Sequence, residues 1–280
     1  MSQHNSSRAR DVSRESYNLA TLSYALDAYC RRYGYEHATA LDQLTTTIVH
    51  FFEWDTQSPT PTQATVLGGF ASEQKVAEIK NALHVLMSHF FLALRTELEH
   101  KPWADIFGDY FMEYGANKKD RGQCFTPDSV CELLAELSLS INEGTDFDTM
   151  RHHVPGFGRK VVVNDCACGS GRLLLAAGTT YRHITHHNDV YLVASDIDDR
   201  CCKQSAINIL VHGFYGEVAC MDTLMGESTF SHGWIINQGL YPIPFGLPSL
   251  TYTTDKSKFY QYQRNIIGNP PFEESNNASK

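Results

Sequence analysis

Apolar residues recur at helical spacing through the first part of the chain and gather into short β-branched runs in the last part. Val76, Ile79, Leu83, Leu86, Phe90, Leu94 and Leu98 stand three or four apart with charged residues between them, which predicts a helix over 73–99. Turn-forming residues precede it at 58–61 and at Gly68-Gly69. Earlier helices are expected over 16–32 and 40–52, so residues 1–115 read as a helical region without chemistry of its own. A loop follows over 115–126. Pro127 stands where a helix begins, with Thr126 as its cap. Val130, Leu133, Leu134 and Leu137 give that helix an apolar face. Residues 146–159 read as a polar, histidine-containing linker.

From residue 159 the pattern changes. Residues 160–164, 190–195 and 217–219 are short strand-like runs, and 264–268 is a fourth that ends at Asn269. Helical stretches at 172–177 and 200–212 separate them, the second with Ala206, Ile209 and Leu210 on one side. Strands alternating with helices predict an α/β fold with a mostly parallel sheet and helices on its faces. The expected division is 1–115 and 116–280, with no internal repeats.

Charge narrows the picture. The net charge is -9 over 280 residues, which argues against a protein that binds nucleic acid over its whole surface. Basic residues cluster locally at Lys118, Lys119 and Arg121. Residues 1–14 are polar and do not resemble a signal peptide, and no apolar run approaches a membrane span, so a cytoplasmic protein is expected. The eight cysteines form no paired C-x-x-C knuckles. Neither a structural zinc site nor disulfides are expected, and no metal ligands are assigned.

The chemistry gathers at strand ends. Asp165-Cys166-Ala167-Cys168-Gly169-Ser170-Gly171 joins a strand to a helix. Gly169 and Gly171 allow close backbone approach there, in the crevice where open α/β sheets bind ligands. The turn lacks the G-x-G-x-x-G pattern and the lysine of a triphosphate loop. Asp165 at its front would repel a pyrophosphate. Asp196 ends the second strand, where a carboxylate accepts hydrogen bonds from ribose hydroxyls. Asp222 follows the third, within reach of an adenine ring. A nucleoside with a cationic centre fits better than a phosphate chain.

Asn269-Pro270-Pro271-Phe272 lies at the same sheet end. Two prolines stiffen the backbone after the asparagine. The Asn269 amide oxygen and the Pro270 carbonyl can then hold an exocyclic amine, and Phe272 can stack on its ring. A base in a duplex reaches such a pocket only by flipping out. These residues alone point to methyl transfer onto an amine.

With these motifs in order, the chain resembles the gamma-class N6-adenine DNA methyltransferases, most closely the modification subunit of type I restriction systems. The resemblance spans about 105–272, including the helix at 105–113 and Gly122-Gln123-Cys124-Phe125-Thr126-Pro127. It implies a Rossmann-like S-adenosylmethionine-dependent sheet preceded by the helical region. Phe125 and Thr126 would lie beside the methionine part of that cofactor, and Asp165 would hold its amino group. Gly169 and Gly171 would approach it closely, Asp196 would bind the ribose, and Ile197 and Asp222 would meet the adenine. Asn269, Pro270, Pro271 and Phe272 match the catalytic motif, and DNA is the implied partner. Cys124 and Cys166 depart from the family's aromatic and proline.

In that family the sheet order is 3-2-1-4-5-7-6, so this chain is expected to supply only 3-2-1-4. The sheet would be incomplete in its C-terminal half, with strand 264–268 an open edge. A partner chain or self-association would complete it, and the chain alone would methylate weakly. The stretch between Asp222 and Asn269, with Trp234, Ile235, Ile236, Tyr252 and Tyr260, is expected to be an extra hairpin or a cover. Two other functions fit the motifs: a cofactor-binding but inactive scaffold, and a glutamine or protein amine methyltransferase.

Overall fold

The computed structural model describes residues 18–53, 72–114, 126–139, 147–238 and 248–263. Helix α1, Leu19–Tyr33, starts at Asn18, whose side chain accepts from Thr21 N at 3.2 Å. It stops at Gly34, whose left-handed backbone lets its N–H return to Cys30 O at 2.8 Å. Helices α2, His37–Phe52, and α3, Glu73–Leu98, follow, then α4, Ile106–Tyr114. Ser72 caps α3 by accepting from Lys75 N. The helical spacing seen in the sequence buries Ile79, Leu83, Leu86, Phe90 and Leu94 against Leu22, Leu26, Leu44 and Ile48.

The sheet has six strands in chain order: β1 Arg151–Val154, β2 Gly158–Asp165, β3 Val190–Asp196, β4 Tyr215–Cys220, β5 His232–Ile236 and β6 Leu250–Thr253. β2, β3 and β4 are parallel. Their crossovers carry α7, Arg172–Thr185, and α8, Asp199–Val211. The outer strands pair antiparallel, β1 on β2 and the β5–β6 hairpin on β4.

Strand alternation separates the two faces. Leu192, Ala194, Val218 and Trp234 join the core that α7 and α8 share with the N-terminal helices. Tyr191 and Val193 face the other way with Val154 and Tyr260, and Ala219 and Ile235 with Phe259. Helix α2 docks on α8, where Lys203 reaches Thr46 Oγ1 at 3.2 Å and Asp42 at 3.5 Å.

Four expectations change. The sheet is mixed, with two of its five pairings parallel, because antiparallel hairpins were added at both ends. Its long helices lie on one face, while the other is covered by Phe157 and the 259–260 segment. The supposed linker holds a helical turn, α6 (Phe147–Met150), and β1, whose polar residues suit an edge strand. Helix α5, Asp128–Leu139, buries Cys131, Ala135 and Leu139, leaving Val130, Leu133, Leu134 and Leu137 exposed. The small residues let α5 lie close to α7, which the larger side chains would prevent.

The stretch after Asp222 does contain an extra hairpin, and it extends the sheet from β4. Strand 264–268 lies outside the described residues. The flank of β2 that the family order reserves for it is taken by β1 only along 158–161. Residues 162–165 have no strand on that side among the described residues.

Candidate functional site

The C-terminal ends of β2, β3 and β4 bring the glycine turn and the three predicted acids to one edge. The turn after β2 is held from below, with Cys168 N on Ser195 O at 3.0 Å and Gly171 N on Cys168 O at 2.8 Å. Gly169 and Gly171 have φ of 53° and 85°. At Gly171 a Cβ would stand 2.7 Å from Ser205 Oγ on α8, so only glycine admits this approach of turn and helix.

Asp196 locks the turn to β3. One carboxylate oxygen accepts from Gly169 N and the other from Asp198 N, both at 2.9 Å. Each oxygen keeps a lone pair for a further donor. Asp165 accepts from Ala167 N through Oδ1 at 3.1 Å. Its Oδ2 is buried and has no hydrogen-bond partner among the described residues. Burial pushes the Asp165 carboxyl above the usual carboxylate range, with the Ala167 amide opposing and the nearby Asp196 adding to the rise. An unpartnered buried carboxylate oxygen is costly unless a ligand donates to it.

Asp222 behaves differently. Its Oδ1 accepts from Leu224 N at 3.0 Å and Met225 N at 3.3 Å, so the side chain shapes its own loop. Thr223 ties that loop to Cys166 O at 2.9 Å. Ile197, Leu224 and Met225 are exposed at this rim, Leu224 by 95%. A flat ligand would cover such apolar residues. Thr126 is near too, its carbonyl 3.5 Å from Arg172 Nη1 at the start of α7. Phe125 and Asn269, Pro270, Pro271 and Phe272 lie outside the described residues, as do Lys118, Lys119 and Arg121.

Sequence reading missed the network that supports the turn. Asp105 is fully buried ahead of α4. It accepts from Arg172 Nε at 3.1 Å, Asn208 Nδ2 at 2.8 Å, Gly108 N at 3.0 Å and the Ser170 hydroxyl. Arg172, also buried, turns its other nitrogens to Asp109 and to Asp128, the latter at 2.9 Å. One guanidinium thus joins α4, α5 and α7 directly beneath Gly169–Gly171. An arginine directly after the second glycine was the available signal; its partners lie too far away in sequence to be paired with it by eye.

Glu217 was also missed, because it sits in a short β-strand run. It is fully buried. It accepts from Tyr191 Oη at 2.9 Å, Tyr260 N at 2.7 Å and Gln261 N at 3.0 Å. It thereby pins the start of α9, Tyr260–Gln263, the last described element before the Asn-Pro-Pro-Phe motif. Burial pushes its carboxyl up to about 7, against those three donors. The folded chain therefore keeps this proton between about pH 4.5 and 7 while the unfolded chain has lost it. Stability from this group is full at low pH and is lost as pH rises towards 7, by roughly 3 kcal/mol. Glu217→Gln, which mimics the protonated carboxyl, should flatten that decline. Urea midpoints of the two proteins from pH 5 to 8 check this, and parallel profiles would refute it.

Two further observations constrain the protein. All the described cysteines are free. No described helix is long and apolar enough to cross a membrane. Among curated proteins and among solved structures none matches the chain significantly. A family model described as N-6 DNA Methylase matches residues 103–280, more than half of the chain. Its match begins two residues before Asp105 and takes in the whole turn network.

Proposed function

Since the chain belongs to the N-6 DNA methylase family, we propose that it transfers a methyl group from S-adenosylmethionine to the N6 amine of adenine in DNA. The observation that carries the cofactor assignment is the buried, unpartnered Oδ2 of Asp165 beside a glycine turn. That oxygen suits the ammonium group of a methionine moiety. The free lone pairs of Asp196 suit two ribose hydroxyls, and Ile197 offers an apolar surface to the adenine. Asp222 contributes by holding the Leu224–Met225 rim, and Thr126 with Phe125 closes the methionine end. When bound, the cofactor supplies an electrophilic methyl.

The remaining work falls to the chain's own residues. Asn269 and the Pro270 carbonyl hold the target amine with its lone pair free. Pro271 stiffens the loop, and Phe272 stacks on the flipped base. In this reading residues 116–280 form a Rossmann-like methyltransferase domain behind a helical region, as in the gamma-class modification subunits of type I restriction systems. The protein works in the cytoplasm. A strand from 264–268 would pair with β2 along 162–165, and a partner chain would contribute what remains of the sheet edge and target recognition.

Calorimetric titration with S-adenosylmethionine tests the cofactor site. Asp196→Asn should weaken binding by about 10- to 100-fold, the loss expected for charge-assisted hydrogen bonds. Unchanged affinity in that variant would remove Asp196 from the site. Mass spectrometry of digested DNA after reaction tests the product. N6-methyladenine is expected. Protein-dependent 5-methylcytosine would overturn the proposal, since that chemistry needs a cysteine nucleophile and the 269–272 loop has none.

A further inference from the structure

On the β4–β5 side of the same sheet end, three side chains from three elements converge. They are Asp199 in the first turn of α8, Cys220 at the end of β4 and His232 at the start of β5. One ligand-type atom of each lies within 4.8 Å of the other two. We infer that Asp199, Cys220 and His232 form a binding site for a thiophilic divalent cation of the zinc class. The site shares no residue with the turn that carries Asp165.

The donor set is the first argument. Thiolate, imidazole and carboxylate are the three ligand types zinc takes, and three protein ligands leave one position open. Zinc–ligand bonds of about 2.0–2.3 Å in tetrahedral array put ligand atoms roughly 3.3–3.7 Å apart. His232 Nε2 and Asp199 Oδ1 are 2.8 Å apart. An ion therefore requires them to open slightly and the sulfur to draw in.

The surroundings supply the second argument. His232 Nδ1 lies 3.0 Å from Ser231 Oγ, and that hydroxyl donates to Cys220 O at 3.1 Å. A hydroxyl whose proton goes to the carbonyl accepts from Nδ1–H. Nε2, the ring nitrogen free to ligate, then faces the Asp199 carboxylate across either a proton or a metal ion. An outer hydrogen bond that fixes the ring in this way is a regular feature of histidine metal ligands.

Charge is balanced as well. Asp199 Oδ2 accepts from Lys203 Nζ at 2.8 Å, and Lys203 also faces Asp42 at 3.5 Å. Lys203 and Asp42 offset each other. The Asp199 carboxylate and a Cys220 thiolate then match a dication. Cys220 is buried, whereas the Asp199 and His232 side chains are 41% and 20% exposed, which leaves the ion a path from solvent. Trp234 and Tyr252 flank the imidazole at 5.3 and 5.6 Å between ring centroids. Cys220 Sγ also lies 3.9 Å from Ile197 O. A bound ion would thus fasten the ends of β4 and β5 to α8, directly behind the rim residue Ile197.

Cobalt(II) titration of the full chain, stripped with chelator, reads the site directly. One equivalent should give the strong visible bands of a tetrahedral ion and a near-ultraviolet thiolate-to-cobalt band, and zinc should displace both. Ion binding should release the Cys220 thiol proton, so affinity should rise with pH. Ser231→Ala should weaken binding by about 10- to 100-fold. Cys220→Ser should lose the thiolate band entirely, while Cys30→Ser, in the distant helix α1, should keep it. If Cys220→Ser does not fold, His232→Gln serves instead and should lose the tetrahedral spectrum. The inference fails if folded wild-type protein shows only the weak spectrum of hexa-aqua cobalt. In that outcome a proton on Nε2, donated to Asp199, accounts for the contact. It also fails if the thiolate band survives in Cys220→Ser.

Discussion

Asn269→Ala is expected to lower the rate constant for adenine methylation by about 10²- to 10³-fold while leaving S-adenosylmethionine affinity unchanged. That magnitude is typical for removing one preorganised polar group aimed at the reacting centre. In the proposed reading the amide oxygen accepts a hydrogen bond from an amine that gains positive charge as its lone pair attacks. The contact is therefore worth more in the transition state than in the ground state. The loss should appear in the single-turnover rate, with a smaller change in DNA affinity. Phe272→Ala should show the opposite balance, weakening the hold on the flipped base by about 1–3 kcal/mol through lost stacking. A single-turnover rate for Asn269→Ala equal to wild type would exclude the asparagine from the chemistry.

Arg172→Leu is expected to cost about 3–5 kcal/mol of stability, because it strands the fully buried Asp105 carboxylate without its cation. For a chain of this size that is roughly 10 °C in Tm. The same variant should weaken cofactor binding, since Asp105, which accepts from the Ser170 hydroxyl, loses the cation that fixes it beneath the turn. Pairing it with Asp105→Asn separates the two causes. If the stranded charge dominates, the double variant is more stable than Arg172→Leu alone. If the double variant is no more stable, the lost contacts to Asp109 and Asp128 account for the cost. Thermal melts of the three variants decide between these outcomes. A drop below about 1 kcal/mol in Arg172→Leu would mean that solvent reaches Asp105.

Local patterns were legible in the sequence, and distant pairings were not. Helices α1, α2 and α3 followed from apolar spacing. The cores of β2, β3 and β4 followed from β-branched runs between turn residues. Asp165, Gly169, Gly171 and Asp196 do converge, because strand-end positions in a parallel core share one edge whatever the loops do. The exposed stripe on α5 misled because a helix with two apolar faces gives no sign of which one packs. Cys131 and Ala135 were the better guide, being small enough for close contact with α7. β1 was missed because an edge strand needs no apolar alternation. Asp105 with Arg172, Glu217 with Tyr260, and the Asp199, Cys220 and His232 group each depend on partners brought together only by the completed fold.

Because the strands lie in the sheet in the order of the chain, this sheet can grow in the direction of synthesis. Among the described strands, each new one meets a partner that has already left the ribosome. The exception is the N-terminal helical layer. Its docking contacts run from Asp42 and Thr46 to Lys203, from Glu53 to Trp234 at 3.2 Å, and by a bridge from Glu53 to Leu250. The helices made first must therefore keep their apolar faces occupied among themselves until α8 and the β5–β6 hairpin emerge. Ribosome stalling placed after residue 213 should yield a nascent chain whose helices are protected from protease only weakly, and stalling well beyond residue 253 should protect them fully.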